Sequence, residues 1–353
     1  MDLPTELWID IWQHVSVWGE LPPCRLVCKR WARELDSGAA RTELWRKQSH
    51  NKTGILYGLS IKGKLLSIIW FAATFRLTTK NVHTFYGDAL RRACENGHLG
   101  TAQWLAATFG PIANNSAYVV VSRALYGPCQ NGYLEVAQWL VATFSLTADN
   151  ARVEENRALR ESCRYGHLSV AQWLAATFSL TAKDARASNN FALCESCANG
   201  HLAVAQWLVA AFGLTVSDAR VKNNRALCES CANGHLAVAQ WLVATFGLTA
   251  SDARARDNSI LTYTCAGGHL EVAQWVVNAF GLTVEDARAR DNWALRYSCA
   301  NGHLEVAQWL VTKFGLTVED ASACGYAALL WAHSRNHSEV ERWLVSTFGF
   351  KPL

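Results

Sequence analysis

Two short motifs bring together residues able to do chemistry. Cys194-Glu-Ser-Cys197 and Cys228-Glu-Ser-Cys231 have the spacing that elsewhere serves redox or zinc chemistry. The second cysteine of each belongs to a longer series, Cys94, Cys129, Cys163, Cys197, Cys231, Cys265 and Cys299, while Arg or Thr replaces the first in other copies. A residue that recurs in this way fills a packing slot, and no complete ligand set accompanies the pairs. The histidines His98, His167, His201, His235, His269 and His303 each follow a glycine and open a helical segment. No nucleophile or base stands beside them, so they read as helix-start residues and not as catalysts. Asp184/Arg186, Asp218/Arg220, Asp252/Arg254 and Asp286/Arg288 repeat with one spacing, and paired opposite charges suggest bridges between successive segments. No phosphate-binding loop, paired catalytic carboxylates or nucleophile elbow is present, so no enzyme, cofactor or metal is expected.

All these series keep one step, and the tryptophans show it best. Trp104, Trp139, Trp173, Trp207, Trp241 and Trp309 stand in the context AQWL; Trp275, Trp343 and Trp70 are variants that complete a set of nine. The step is 34 residues, except 35 between Trp104 and Trp139. Nine copies in register mean stacked repeats of one supersecondary unit. In the unit beginning at Asn292, Ala294, Leu295, Ser298 and Cys299 share one side of a short amphipathic helix. Gly302 ends it in a left-handed conformation, and Leu304 to Phe314 form a second helix, apolar almost all round, expected to be buried between neighbours. Thr215-Val-Ser-Asp218, Thr249-Ala-Ser-Asp252, Thr283-Val-Glu-Asp286 and Thr317-Val-Glu-Asp320 are helix-start signals, so the connector is expected to be a helical turn. Gly127-Pro128 enters one leading helix and reads as an eroded copy, with a specialised surface as the alternative.

Composition agrees with a folded chain. Charged residues are 18% and apolar ones 50% of the 353, enough to build a core, and the formal charge of +4 gives no reason to expect nucleic acid. The start Met1-Asp2-Leu3-Pro4-Thr5-Glu6 is acidic where a secretory signal is basic, and no apolar run is long enough for a bilayer. Twelve cysteines without such a signal point to a reducing compartment. The expected location is intracellular, cytoplasmic or nuclear, with no membrane partner.

The pattern ALxxSCxNGHLEVAQWLV resembles the ankyrin repeat over roughly residues 55 to 353, with Ser-Cys in place of that family's Ala-Ala and without its leading Thr-Pro and His. A tetratricopeptide array shares the period, but its Tyr, Phe and Pro positions are not found. Residues 1–48 lack the period; Leu3-Pro-Thr-Glu-Leu7, Ile11, Val15, Cys24 to Trp31 and Leu44-Trp45 resemble an F-box, a three-helix motif that docks on the Skp1 subunit of cullin-based ubiquitin ligases. Pro22-Pro23 makes its middle irregular. The expected architecture is therefore all-α: an F-box-like module at 1–48, then an ankyrin-type solenoid of nine units at 49–353 with reduced or helical fingers. The combination resembles proteins of amoebae and of large DNA viruses thought to recruit targets for ubiquitination; a viral chain would work inside the host cell. The resemblance implies that Leu3, Pro4, Leu7 and Ile11 meet a Skp1-like protein. The varying leading-helix positions Arg157, Arg160, Phe191, Arg225, Trp293 and Arg296 are expected to face an unknown target protein. The alternative is a scaffold without ligase recruitment, its N-terminus acting as a cap.

Overall fold

The computed structural model describes residues 52–74, 77–78, 86–110 and 123–351. The expected module at 1–48, with Leu3, Pro4, Leu7 and Ile11, lies outside the described residues. The described residues form helices and no strand, and the chain divides into two compact units, Met1–Ala151 and Arg152–Leu353. In the first unit three helix pairs are described: Lys52–Ile61 with Leu65–Thr74, Tyr86–Glu95 with Leu99–Phe109, and Tyr126–Asn131 with Leu134–Phe144. Pro128 lacks an N–H to continue the ladder, and its leading helix shrinks to six residues.

The second unit holds six pairs and is an all-helical ankyrin-type solenoid. Its leading helices lie within Ala148–Arg164, Ala187–Ala198, Val221–Ala232, Ala255–Ala266, Val284–Ala300 and Ala323–Ser334; their partners run from Leu168–Thr177 to Ser338–Phe348. Leading helices of adjacent repeats pack side by side. Each presents an Ala-Leu pair and a Ser-Cys pair, or their equivalents, to that packing, as Ala226, Leu227, Ser230 and Cys231 do, all at 0–1% exposure. Side chains this small let two helix backbones approach closely, and this is why the recurring cysteine is there. Burial pushes the Cys231 and Cys197 thiols far up and the Cys194 thiol to about 11, which leaves them protonated and unreactive at neutral pH.

The second helices are less enclosed than their composition suggests. In Leu202–Phe212, Val204, Ala205 and Leu208 are buried, Trp207 is half-buried, and Ala210 and Ala211 face outward. These helices form an outer layer with one side open to water, and alanine accounts for the apolar outer side. Each tryptophan instead meets the phenylalanine five residues on, edge to face, at 5.5 Å for Trp207 and Phe212 and 6.0 Å for Trp241 and Phe246.

The connectors are helical, as the Thr-x-x-Asp signal predicts: Ala182–Ala185, Val216–Ala219, Ala250–Ala253 and Val318–Ala321 are one-turn helices. The carboxylate that caps each one also receives the repeat before it. Asp218 Oδ2 accepts the Thr215 N–H at 2.8 Å and Arg186 Nη2–H at 3.0 Å, while Oδ1 accepts Arg186 Nε–H at 2.7 Å. The same bidentate pair joins Arg152 to Asp184, Arg220 to Asp252, Arg254 to Asp286 and Arg288 to Asp320. Ser322 stands at the next arginine position, and there the ladder stops.

Between connector and leading helix the backbone does something the sequence reading did not foresee. Lys222, Asn223 and Asn224 take φ of 51°, 57° and 60°, three consecutive left-handed residues, none of them glycine. The same turn occurs at Glu154-Glu155-Asn156, Ser188-Asn189-Asn190, Arg290-Asp291-Asn292 and Cys324-Gly325-Tyr326. Each non-glycine residue there costs about 1–2 kcal/mol. Tertiary bonds offset part of it: Asn190 Nδ2–H donates to the Asp218 carbonyl at 3.2 Å and Asn224 Nδ2–H to that of Asp252 at 3.2 Å.

The histidines differ from expectation too. They stand at helix starts but make no side-chain cap; the ring reaches back to the preceding repeat. His98 Nε2–H donates to the Ile61 carbonyl at 2.9 Å, and His201, His269 and His303 bond the carbonyls of Arg164, Ala232 and Ala266. The other ring edge rests on the preceding glycine: a Cβ at Gly200, whose φ is +77°, would lie 2.6 Å from His235 Nδ1. The end of the leading helix one repeat earlier offers open carbonyls for the ring to bond.

Candidate interaction surface

The leading helices carry the side chains that vary while the frame stays constant. They do not stand free in a row as expected: Cys194, Ser259 and Thr262 are buried, and Arg296 is only 9% exposed. Side-by-side packing of the leading helices lays these positions against the next repeat.

The structure sorts the expected target residues into two groups. Arg157 pairs with Glu154 at 2.8 Å in its own repeat. The Arg160 guanidinium lies over the half-buried Phe191 ring at 4.8 Å and donates from Nη2 to the Glu154 carbonyl at 2.9 Å. Arg225 Nη2 lies 2.6 Å from Glu195 Oε1, and Arg164 approaches the other oxygen of that carboxylate at 3.5 Å. Glu195 is 8% exposed, so a buried anion is held between two cations from the repeats on either side.

The second group is aromatic. Trp293 meets Tyr263 at 5.3 Å and Tyr297 at 4.7 Å, Tyr297 meets Trp331 at 5.2 Å, and every contact is edge to face. Guanidiniums cover two of these rings, Arg290 on Trp293 at 4.9 Å and Arg296 on Trp331 at 5.6 Å. Arg296 Nη2–H also donates to the Arg290 carbonyl at 3.0 Å, the bond that Arg160 makes with Glu154. Arg160 and Arg296 therefore steady the left-handed turns in front of their helices.

The expected set missed Glu195, Tyr263, Tyr297 and Trp331. They occupy the position just after the Arg160 series, which runs Glu161, Glu195, Glu229, Tyr263, Tyr297, Trp331. That switch from three carboxylates to three aromatic rings is readable in the sequence once the register is fixed.

Three copies of the ankyrin repeat match residues 231–320. The matched stretch begins at the Ser-Cys step of one leading helix and ends at the connector Asp320, so it contains Tyr263, Trp293, Tyr297 and Arg296. No curated protein matches the chain. Ankyrin repeats support a protein–protein interaction role and imply a protein partner, and proteins built of them are typically non-enzymatic scaffolds. No described helix is long and apolar enough to cross a membrane.

Proposed function

We propose that the chain is a protein-interaction adaptor: the leading-helix face of the repeats holds a target protein, and residues 1–48 dock on a Skp1-like subunit of a cullin-based ubiquitin ligase. The observation that carries the first half is the contrast between a recurring frame, with Asp–Arg couplings from Arg152 to Asp320 and repeated Gly–His contacts, and a leading-helix face that changes from ion pairs to aromatic rings. Arg157, Arg160, Phe191, Arg225, Trp293 and Arg296 lie on that face, as do Glu195, Tyr263, Tyr297 and Trp331.

The second half rests on sequence. Leu7 and Ile11 lie four apart, so a helix beginning near Thr5 sets both toward one groove, with Leu3 and Pro4 leading in. A pull-down with purified Skp1 tests it, using the intact chain beside a Pro4→Ala/Leu7→Ala variant. Capture by the intact chain and loss in the variant are expected, since buried apolar anchors carry about 2 kcal/mol or more each. No capture at micromolar Skp1 leaves a scaffold whose N-terminus is a cap.

A further inference from the structure

The two halves of the leading-helix face differ in how their charges are met. In the polar half, Arg157, Arg164 and Arg225 pair with carboxylates within and across repeats, down to the buried Glu195 between Arg164 and Arg225, while Arg160 meets the Glu154 carbonyl and the Phe191 ring. In the last two repeats Arg296 and Arg335 stand on leading-helix stretches, 293–301 and 327–335, that carry no carboxylate; His333 is engaged by Glu341 at 3.1 Å. Arg296 has no carboxylate within ion-pair distance among the described residues, and its buried Nε–H has no acceptor there. The Arg335 guanidinium, exposed at the edge, bonds only uncharged oxygens, Asn301 Oδ1 at 2.6 Å and the Ala300 carbonyl at 3.2 Å.

These charges adjoin a run of aromatic rings, two of which lie under guanidiniums. Tyr263 and Leu330 are 41% and 46% exposed beside the chain of rings through Trp293, Tyr297 and Trp331. A cationic ligand is disfavoured, because guanidiniums already occupy the faces of Trp293 and Trp331 and like charges would meet. A buried cation without a counter-ion is costly, and a carboxylate brought by a partner relieves that cost in a site that excludes water.

We propose that the aromatic half of this face, from Tyr263 to Arg335, seats a peptide segment of a partner protein that carries acidic residues beside a bulky apolar one. The apolar side chain lies against Tyr297, Trp331 and Leu330, and the carboxylates lie toward Arg335 and the field of Arg296. This rests on the reading of the leading-helix face as the target surface.

The test selects random dodecapeptides displayed on phage against the intact full chain, then measures the winners as synthetic peptides. Enrichment of Asp and Glu beside Phe, Trp or Leu is expected, with affinity about tenfold lower in Arg335→Glu and in Trp331→Ala and unchanged in Arg157→Glu. Arg335 is exposed, so its variant keeps the fold; circular dichroism of both variants confirms it. Basic winners, or winners sensitive to Arg157→Glu and not to Arg335→Glu, overturn the acidic-segment proposal and leave the target surface standing. Concentration-dependent self-association abolished by Trp331→Ala overturns it as well, since a second copy then covers the rings. No winner that depends on either half overturns both.

Discussion

Asp218 binds three elements at once: its own connector through Thr215, and the repeat before through Arg186 and Asn190. The Arg186 hydrogen bonds, helped by those of Thr215 and Asn190 and opposed by partial burial, hold its carboxyl at about 2, against an ordinary 3.8. A carboxyl depressed in the folded state contributes stability that is full above its unfolded value and is lost as pH falls toward the folded one. Asp218→Ala should cost about 2 kcal/mol, from the lost cap and the charged hydrogen bonds, read by urea unfolding. Histidines add a second window. Burial first, then neighbouring histidines, hold His201, His269 and His303 below the ordinary 6.5, so protonation favours the unfolded chain. Melting temperature should fall in two stages on acidification, first below about pH 6.5 and again below about pH 4. A single acid transition confined to the lower window would remove the histidines from the account.

At the scale of elements, the Gly–His contact is the sharpest joint. Gly200→Ala meets both a φ of +77° and the His235 ring, so it should destabilise by about 2 kcal/mol or more, and His235→Ala in the same chain should recover part of that loss. Equal destabilisation with and without the ring would show that only the backbone angle matters. Conversely Lys222→Gly, in the left-handed turn, should stabilise by about 0.5–1 kcal/mol, because relief of the angle outweighs the added freedom of the unfolded chain. Helix, glycine and capped connector were legible because each has a local signal: Ser230-Cys231, Gly234, Thr249 with Asp252. The left-handed turn was not, since asparagine tolerates a single left-handed residue but three in succession, Lys222 included, have no local signal, and the bond from Asn224 to the next connector helps to hold them. The reach of each histidine was hidden for the same reason: its acceptor belongs to another repeat. Of the surface, the residue types were legible and their burial was not, because Ser259 and Thr262 look like solvent-facing residues until the neighbouring helix covers them.

At the scale of the whole molecule, the couplings between repeats among the described residues reach one repeat forward or one back. Arg186 reaches Asp218, Arg220 reaches Asp252, and His235 rests on Gly200. Stability in such an array is approximately a sum of repeat and nearest-neighbour terms. Excising residues 221–254 joins Arg220 to Ala255, and its next partner in register becomes Asp286, with Thr283 already in place to cap. The shortened chain should fold, with its helical circular dichroism reduced in proportion to length and its melting temperature lower by only a few degrees; a molten product would mean that distant repeats depend on one another. Because no junction has to be rewritten when a whole period is copied or dropped, the Arg-to-Asp polarity makes array length something a single recombination event can change, and the aromatic and charged stretches of the face can be brought nearer or farther without altering either.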